Sequence, residues 1–228
     1  MKTLFKPLIA VPLLFFAASA NAQLMLQISD TADFTGTVVG GTDTDGDGLL
    51  TVSSNISDGL GSWIASVNTG ISSLNSPYSD GLVDTLHLNS VNVSGGVGTI
   101  YVRLSESGYV KTEAPYITSF GGITQGSVEF KSYVDPSNSD FTTAPSAILL
   151  SDSGVVTGGN GGEFSGSDSG YLNITGPYSM SIYASVTHDK FSTSSFDYEI
   201  KVPEPTSIAL LGLGLLGFAA TRRKKALV

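Results

Sequence analysis

The sequence predicts an all-β domain at residues 23–201, folded as a two-sheet antiparallel sandwich with a jelly-roll-like arrangement. Short runs in which apolar and polar residues alternate are frequent there, and clusters of Gly, Ser, Asn and Asp separate them. No long segment has the 3.6-residue period of an amphipathic helix. About 180 residues, divided by turn clusters in this way, suffice for roughly ten or more strands in one domain.

Individual strands are predicted where apolar residues recur at every second position. These runs are Leu24 to Ile28, Trp63 to Val67, Leu86 to Leu88 with a shifted continuation at Val91 and Val93, Thr99 to Leu104, Val128 to Val134, Tyr178 to Val186, and Phe196 to Ile200. Turns are predicted at Thr42 to Gly48, Gly95-Gly96, Gly121-Gly122, and Gly158 to Gly162. A short helix is an alternative prediction for the segment between Asp58 and Leu74.

Charge and cysteine content exclude several functional classes. The 228 residues contain 11 Lys and Arg against 20 Asp and Glu, a net charge of −9, and no Cys. Without Cys the chain has no disulfide framework and no metal site with thiolate ligands. Nucleic acid is not an expected partner, because its binders normally present a basic surface. Residues 23–201 hold only five basic residues against 19 acidic ones, a net charge of −14.

The first 22 residues have the three parts of a secretory signal peptide. Lys2 and Lys6 form a positively charged start, Leu8 to Ala18 form an apolar core, and Ala20-Asn21-Ala22 forms a small-x-small cleavage site. Cleavage there makes Gln23 the first residue of the mature chain. The expected partners at this step are the secretion translocon and signal peptidase. A buried first strand or helix is the alternative interpretation.

Residues 202–228 have a different three-part layout. The motif Val202-Pro203-Glu204-Pro205 precedes an uncharged, largely apolar stretch at 206–221 and a basic tail at 222–228 with Arg222, Arg223, Lys224 and Lys225. A helix of this length extends about 24 Å, and snorkelling of the flanking arginines bridges the difference from the roughly 30 Å hydrocarbon core. We therefore predict a transmembrane helix with its basic stop-transfer cluster in the cytoplasm. A hairpin buried in a globular domain is the alternative.

This ending resembles the PEP-CTERM sorting signal of Gram-negative bacteria in its Val-Pro-Glu-Pro motif, its Gly- and Leu-rich span and its terminal Arg/Lys cluster. The resemblance implies recognition by an exosortase, a membrane-embedded cysteine transpeptidase, and removal of the tail near Pro-Glu-Pro. It implies an inner-membrane intermediate followed by release or attachment at the cell surface or in the extracellular matrix, and an association with exopolysaccharide and biofilm. Such tails also carry the label ice-binding protein C-terminal domain, but nothing in this sequence indicates ice binding.

One acidic loop is a candidate calcium site. The run from Asp43 through Asp45 and Asp47 to Gly48 and Leu49 resembles the start of an EF-hand or dockerin-type loop, in which carboxylates at alternate positions converge on a hard cation. On this hypothesis the three aspartates supply side-chain oxygens and Leu49 supplies its carbonyl. Position twelve of the loop lacks the usual Glu and no flanking helices are evident, so an acidic turn before a strand is the alternative.

Catalytic motifs are scarce in the sequence. His87 and His188 lie in or beside alternating runs and are expected on solvated strand faces or in loops, and no Gly-x-Ser-x-Gly nucleophile elbow is present. His188-Asp189 could form a triad with a distant Ser, but the sequence has so many serines that this candidate carries little information.

A second hypothesis concerns aromatic side chains that form a sugar-stacking platform, with core packing as the alternative, above all for Trp63. Its candidates are Trp63, Tyr101, Tyr116, Tyr133, Tyr171 and Tyr178.

These observations favour a non-enzymatic, exported cell-surface or extracellular-matrix protein that is sorted by its C-terminal tail. The expected partners are the exosortase, the membrane through the C-terminal helix, and exopolysaccharide. A carbohydrate- or calcium-binding surface module on the same route is the alternative, and a secreted hydrolase is the third hypothesis.

Overall fold

The computed structural model describes residues 23–57, 62–74, 83–111, 113–143, 146–158 and 162–203, and this part of the chain is all-β, as the sequence predicts. It contains twelve strands, namely β1 (Met25–Ser29), β2 (Val38–Thr42), β3 (Leu49–Ser57), β4 (Ser62–Ser72), β5 (Val83–Gly95), β6 (Gly98–Tyr109), β7 (Ala114–Thr124), β8 (Ser127–Asp135), β9 (Ile148–Thr157), β10 (Glu163–Leu172), β11 (Tyr178–His188) and β12 (Ser192–Pro203).

Two six-stranded antiparallel sheets pack face to face, which confirms the predicted sandwich. Sheet A has the order β2-β1-β6-β11-β8-β9, and sheet B has the order β10-β7-β12-β5-β4-β3. The chain passes from one sheet to the other after β2, β5, β6, β7, β9, β10 and β11. Strands distant in sequence are therefore neighbours in both sheets.

The predicted signal peptide and most of the sorting tail lie outside the described residues. This applies to the cleavage-site residues Ala20 and Ala22, to Glu204 and Pro205, to the predicted span at 206–221 and to the basic cluster at 222–225. In the described part of the chain, no helix is long and apolar enough to cross a membrane.

Aromatic side chains from both sheets fill one part of the core. Phe130 of sheet A contacts Phe120, Phe196 and Tyr198 of sheet B, with ring centroids 5.0, 5.1 and 5.3 Å apart. The hydroxyl of Tyr198 donates a hydrogen bond of 2.8 Å to Ser132 Oγ, so its polar atom is satisfied inside the core. Ring pairs at these distances add to the stabilisation that comes from burial alone.

A β-bulge in β5 explains the shifted alternation seen in the sequence. Asn89 and Ser90 both lie opposite Asp197 of β12, and Ser90 has a φ of 51°. The Ser90 amide donates a 2.6 Å hydrogen bond to Asp197 Oδ1. Because the bulge inserts one residue, Leu88 and Val91 are both buried on the core side of the sheet.

Two sequence predictions are wrong. The segment predicted as an alternative helix contains strand β4, because Trp63, Ala65 and Val67 are buried with the two-residue period of a strand. The predicted turn at Gly121-Gly122 lies inside β7. A Cβ atom on Gly122 would lie 2.1 Å from the Ser195 carbonyl oxygen, so glycine at this position permits close approach of β12.

Strand β12 continues into the sorting motif. Val202 is fully buried and pairs with Asp84 of β5, and Pro203 pairs with Val83. The first two residues of the Val-Pro-Glu-Pro motif therefore belong to sheet B, and Val202 is a core residue.

We expect Val202→Ala to lower the free energy of unfolding by about 2 kcal/mol, because it removes buried methyl groups and leaves a cavity. Lys201→Ala is the matched control on the solvent side of the same strand, where the side chain is 48% exposed, and its effect should stay within about 0.5 kcal/mol. Guanidinium denaturation measures both. Equal unfolding midpoints for Val202→Ala and the unsubstituted protein would contradict the placement of Val202 in the core.

Candidate functional site

A groove of about 560 Å³ lies on the outer face of sheet A. Three of its residues form a row across adjacent strands, since Arg103 of β6 pairs with Tyr183 of β11, which pairs with Lys131 of β8. Their neighbours along each strand, such as Val102 and Ile182, are buried on the opposite face. The period-two alternation of the strands thus places the polar and aromatic residues outside. The volume falls within the range of roughly 300–1,000 Å³ that is typical of small-ligand sites.

Three tyrosines line this groove. Tyr101, Tyr133 and Tyr183 are all half-buried, and the rings of Tyr133 and Tyr183 meet edge to face with centroids 5.6 Å apart. The hydroxyl of Tyr183 donates a 2.6 Å hydrogen bond to the Phe141 carbonyl, and burial raises the pKa of this hydroxyl to about 12. The three rings are therefore partly accessible aromatic surfaces.

Arg103 is held between two phenylalanine rings. The centroid of Phe34 lies 3.8 Å from the guanidinium carbon and that of Phe141 lies 4.3 Å from it. The Nε and Nη2 atoms donate hydrogen bonds of 2.9 and 2.6 Å to Gln27 Oε1. Burial lowers the pKa of Arg103, but a guanidinium remains protonated at any physiological pH.

Phe34 and Phe141, the aromatic clamp on Arg103, lie in two loops that hydrogen bonds hold in place. In the loop at 30–37, the Thr37 amide donates to Asp30 Oδ1 at 2.8 Å. In the loop at 136–143, the Phe141 amide donates to Ser105 Oγ of β6 at 3.1 Å. Phe34 and Phe141 have φ values of 58° and 55°, a left-handed conformation that is rare for aromatic residues. Such conformations persist only where surrounding contacts hold them, and they are concentrated at functional sites.

Two carboxylates of the groove are already engaged. Asp33 Oδ1 accepts a 2.8 Å hydrogen bond from the Thr35 hydroxyl, and the hydrogen bonds from Thr35 lower the pKa of Asp33. Glu129 forms a 3.0 Å ion pair with Lys131, which also lies 3.6 Å from Asp152. The hydrogen bond from Lys131 to Glu129 is the main cause of the raised pKa of Lys131.

The structure brings together only part of the predicted aromatic platform. Tyr101 and Tyr133 line the groove, whereas Tyr116 and Tyr171 lie on β7 and β10 of the other sheet. Trp63 and Tyr178 are core residues, which confirms the alternative for Trp63. The sequence pattern did not identify Tyr183, Arg103, Phe34 or Phe141 as residues of the groove. Tyr183 could have been found, because it occupies a polar position of an alternating run, whereas no sequence pattern marks the two loop phenylalanines.

The predicted calcium loop lies apart from the groove, between β2 and β3. Carboxylate oxygens of Asp43, Asp45 and Asp47 lie within 4.8 Å of one another. The Gly46 and Gly48 amides each donate a 2.8 Å hydrogen bond to Asp43. Burial opposes ionisation of Asp43, but hydrogen bonds, above all those from Gly48 and Gly46, outweigh this effect and lower its pKa. The hydrogen bond with Asp43 and the charge of Asp47 raise the pKa of Asp45.

This arrangement has the oxygen donors that calcium prefers, and calcium binding remains a prediction. Leu49, whose carbonyl was the fourth predicted ligand, is the first residue of β3, and its amide donates a 2.9 Å hydrogen bond to Asp47 Oδ1. The turn is therefore preformed by its own hydrogen bonds, with Gly46 and Gly48 at φ values of 72° and 73° that favour glycine.

The expectation of a solvated position is wrong for His188, the histidine of the triad candidate, because this last residue of β11 lies in the core. His188 is only 1% exposed; its Nε2 lies 2.9 Å from Ser194 Oγ, and its Nδ1 lies 3.3 Å from the Gly95 carbonyl oxygen. Burial lowers the pKa of His188, and its ring packs 5.0 Å from that of Trp63. This serine–histidine pair lies between the sheets, out of reach of a substrate.

A second buried polar group is Glu106 of β6. It is fully buried, and its Oε2 accepts hydrogen bonds from the hydroxyl groups of Ser72 and Tyr109, the latter at 2.7 Å. Burial raises the pKa of Glu106 to about 7, although the two hydrogen bonds lower it in part. The native state therefore holds the Glu106 proton more tightly than the unfolded chain does.

Comparison with known proteins identifies the tail. Residues 201–224 match the PEP-CTERM protein-sorting motif, which confirms the resemblance found in the sequence. The motif implies export to the cell surface through a membrane-anchored intermediate, with an exosortase as the processing partner. A search of curated protein sequences finds no match.

Several solved structures are distantly similar. The K1 cleaved adhesin domain of Lys-gingipain from Porphyromonas gingivalis W83 is 12% identical with a TM-score of 0.36, over 69% of this chain and 98% of that one. TmCBM61 in complex with β-1,4-galactotriose is 14% identical with a TM-score of 0.32, over 55% and 84% of the two chains. The CBM22-1 xylan-binding domain of Paenibacillus barcinonensis Xyn10C is 10% identical with a TM-score of 0.30, over 68% and 86%. Similarity this low leaves the groove itself as the basis for a functional assignment.

Calcium should stabilise the protein if the acidic loop binds it. At a calcium concentration ten times the Kd, the melting temperature should rise by about 3–6 °C, because the ion binds the folded state. Asp45→Asn should abolish this rise, whereas the control Asp189→Asn, at an exposed position outside the loop, should retain it. Differential scanning calorimetry with and without EDTA gives the measurement. An unchanged melting temperature at millimolar calcium would exclude a site in this concentration range.

Glu106 should make stability depend on pH. Because its pKa is raised in the folded state, its contribution is fully present below pH 4.5 and is lost as the pH rises through about 7. Glu106→Gln keeps an acceptor for the hydroxyl groups of Ser72 and Tyr109 but cannot ionise. From pH 5 to pH 8 the unsubstituted protein should therefore lose a few kcal/mol of unfolding free energy relative to Glu106→Gln. The control is Glu163→Gln at an exposed position. A difference that stays constant over this range would contradict the buried ionisation.

Proposed function

We propose that this is a non-enzymatic, exported surface or matrix protein whose β-sandwich binds polysaccharide in the outer-face groove of sheet A. The sorting motif at 201–224 supports the route: secretion, a membrane-bound intermediate held by the C-terminal span, and exosortase processing before display or release. The observation that carries the binding function is the groove, in which three tyrosines stand beside charged side chains on a rigid sheet. An exopolysaccharide of the extracellular matrix is the partner in this proposal.

The chemistry of the groove suits a sugar polymer. Aromatic faces such as those of Tyr133 and Tyr183 provide apolar surfaces for the C–H faces of sugar rings. Lys131, Glu129 and Asp33 provide donors and acceptors for sugar hydroxyl groups. Because sheet A is a continuous hydrogen-bonded platform, the groups on its strands, Glu129, Lys131, Tyr133 and Tyr183, are held at fixed spacing, and little ordering of them is needed on binding.

The acidic groups of the groove favour binding over hydrolysis, because neither has the properties of a general acid. Glycosidases use a general acid whose pKa is raised, together with a second carboxylate. Here the pKa of Asp33 is lowered by its hydrogen bonds, and Glu129 is paired with Lys131. The buried position of His188 likewise disfavours a Ser–His mechanism.

Tyr133→Ala and Tyr183→Ala should each weaken binding to the recognised polysaccharide by about 5- to 30-fold, because a central aromatic contact is worth roughly 1–2 kcal/mol. Tyr171→Ala is the matched control, since this tyrosine is 64% exposed on sheet B. Affinity electrophoresis against a panel of soluble polysaccharides measures the retardation, and melting temperatures verify the fold.

Equal loss of binding in Tyr171→Ala, or retention by all three variants, would contradict binding in the groove. Release of reducing sugar ends from a bound polymer would contradict the non-enzymatic assignment and favour the hydrolase.

A further inference from the structure

Arg103 differs from three lysines of the described residues in its partners, because those lysines form ion pairs with carboxylates. Lys111 lies 3.2 Å from Asp84, Lys201 lies 2.7 Å from Glu199, and Lys131 contacts two carboxylates. Arg103, in contrast, forms no ion pair with a carboxylate of the described residues, although residues 23–201 carry a net charge of −14. Its hydrogen-bond acceptor is the neutral amide of Gln27.

The aromatic clamp restricts how a ligand can reach this cation. Phe34 and Phe141 lie over the guanidinium at 3.8 and 4.3 Å. All N–H donors of the group lie in its plane, so a ligand has to form its hydrogen bonds in that plane. Gln27 Oε1 takes the donors Nε and Nη2 on one edge, and the Tyr183 hydroxyl interacts with the group as well. A guanidinium has more in-plane N–H donors than these two neutral partners occupy.

Neither of the two carboxylates that line the groove forms an ion pair with Arg103. Asp33 accepts its hydrogen bond from the neutral Thr35 hydroxyl, and Glu129 is paired with Lys131. A half-buried positive charge without a counterion is costly, and a negatively charged ligand relieves that cost. The groove is thus electrostatically incomplete at the position of Arg103.

Building on the proposed polysaccharide site, we infer that Arg103 binds a carboxylate group of the polymer, so that the ligand class is a uronate-containing, acidic polysaccharide. A planar carboxylate matches the in-plane fork of a guanidinium and forms two parallel hydrogen bonds with it. Tyr133 and Tyr183 then contact the sugar rings beside the carboxylate. The left-handed conformations of Phe34 and Phe141 serve to hold the fork in this orientation.

The test compares polymers that differ only at the carboxylate. Polygalacturonate and alginate are the probes, and methyl-esterified polygalacturonate and carboxyl-reduced alginate are their neutral counterparts. The unsubstituted protein should bind at least one acidic polymer about tenfold or more tightly than its neutral counterpart, as expected for a charge-assisted bidentate contact. Arg103→Gln should lose this preference and retain the weaker binding of the neutral form.

Two further variants separate recognition from charge and from folding. Lys201→Gln makes the same change in net charge on the other sheet, so it should keep the preference. Arg103→Lys keeps the charge but lacks the fork, and it should lose most of the preference while its melting temperature confirms the fold.

Equal or tighter binding of the neutral polymers by the unsubstituted protein would overturn the inference, as would equal losses in Arg103→Gln and Lys201→Gln. Binding of dextran sulfate at least as tightly as polygalacturonate would also overturn it, because a tetrahedral anion would then be the better ligand. A protein that binds neutral glucans through Tyr133 and Tyr183 but no uronate polymer would retain the proposed function and lose only this inference.

Discussion

Side chains alternate between the two faces of sheet A, and the core and the candidate site both depend on this alternation. Val102, Ile182 and Phe130 point inward from three adjacent strands and pack against sheet B. The intervening positions of the same strands must then face outward, and two of them hold Arg103 and Tyr183. A shift of one residue in register would exchange core and groove, so the burial that stabilises the fold also fixes the geometry of the site.

The groove is completed by segments that are far apart in the sequence. The loops at 30–37 and 136–143 each contribute one ring against Arg103. The first loop is closed by its own hydrogen bond, and the second is tied to β6 through Ser105. The backbone conformation of both phenylalanines is unfavourable for their residue type, and local contacts compensate for it. The site is therefore organised before a ligand arrives, which suits binding to a polymer at the cell surface, where the sorting motif directs the chain.

Strands can be predicted from the sequence where apolar residues alternate clearly. They cannot be predicted where contacts with neighbouring strands, rather than alternation, determine the residue type. The alternation of Trp63, Ala65 and Val67 is sufficient to place β4, but the Gly- and Ser-rich strand β10 has no such signal. A side chain at Gly166 would clash with the ring of Phe120, so glycine there reflects a neighbouring strand rather than a turn. The acidic loop was visible as a local motif. The groove was not visible in the sequence, because it forms only when the register of the strands brings Arg103 together with two loops that are distant in sequence.

Hydrogen–deuterium exchange of the protein with and without a bound polysaccharide locates the binding surface without any substitution. Binding in the groove should slow exchange in the loops at 30–37 and 136–143 and in the adjoining parts of β6 and β11. Sheet B offers a smaller depression of about 250 Å³ beside His87 and Ser119. Slower exchange there, with no change in the two loops of sheet A, would contradict the assignment of the groove as the binding site.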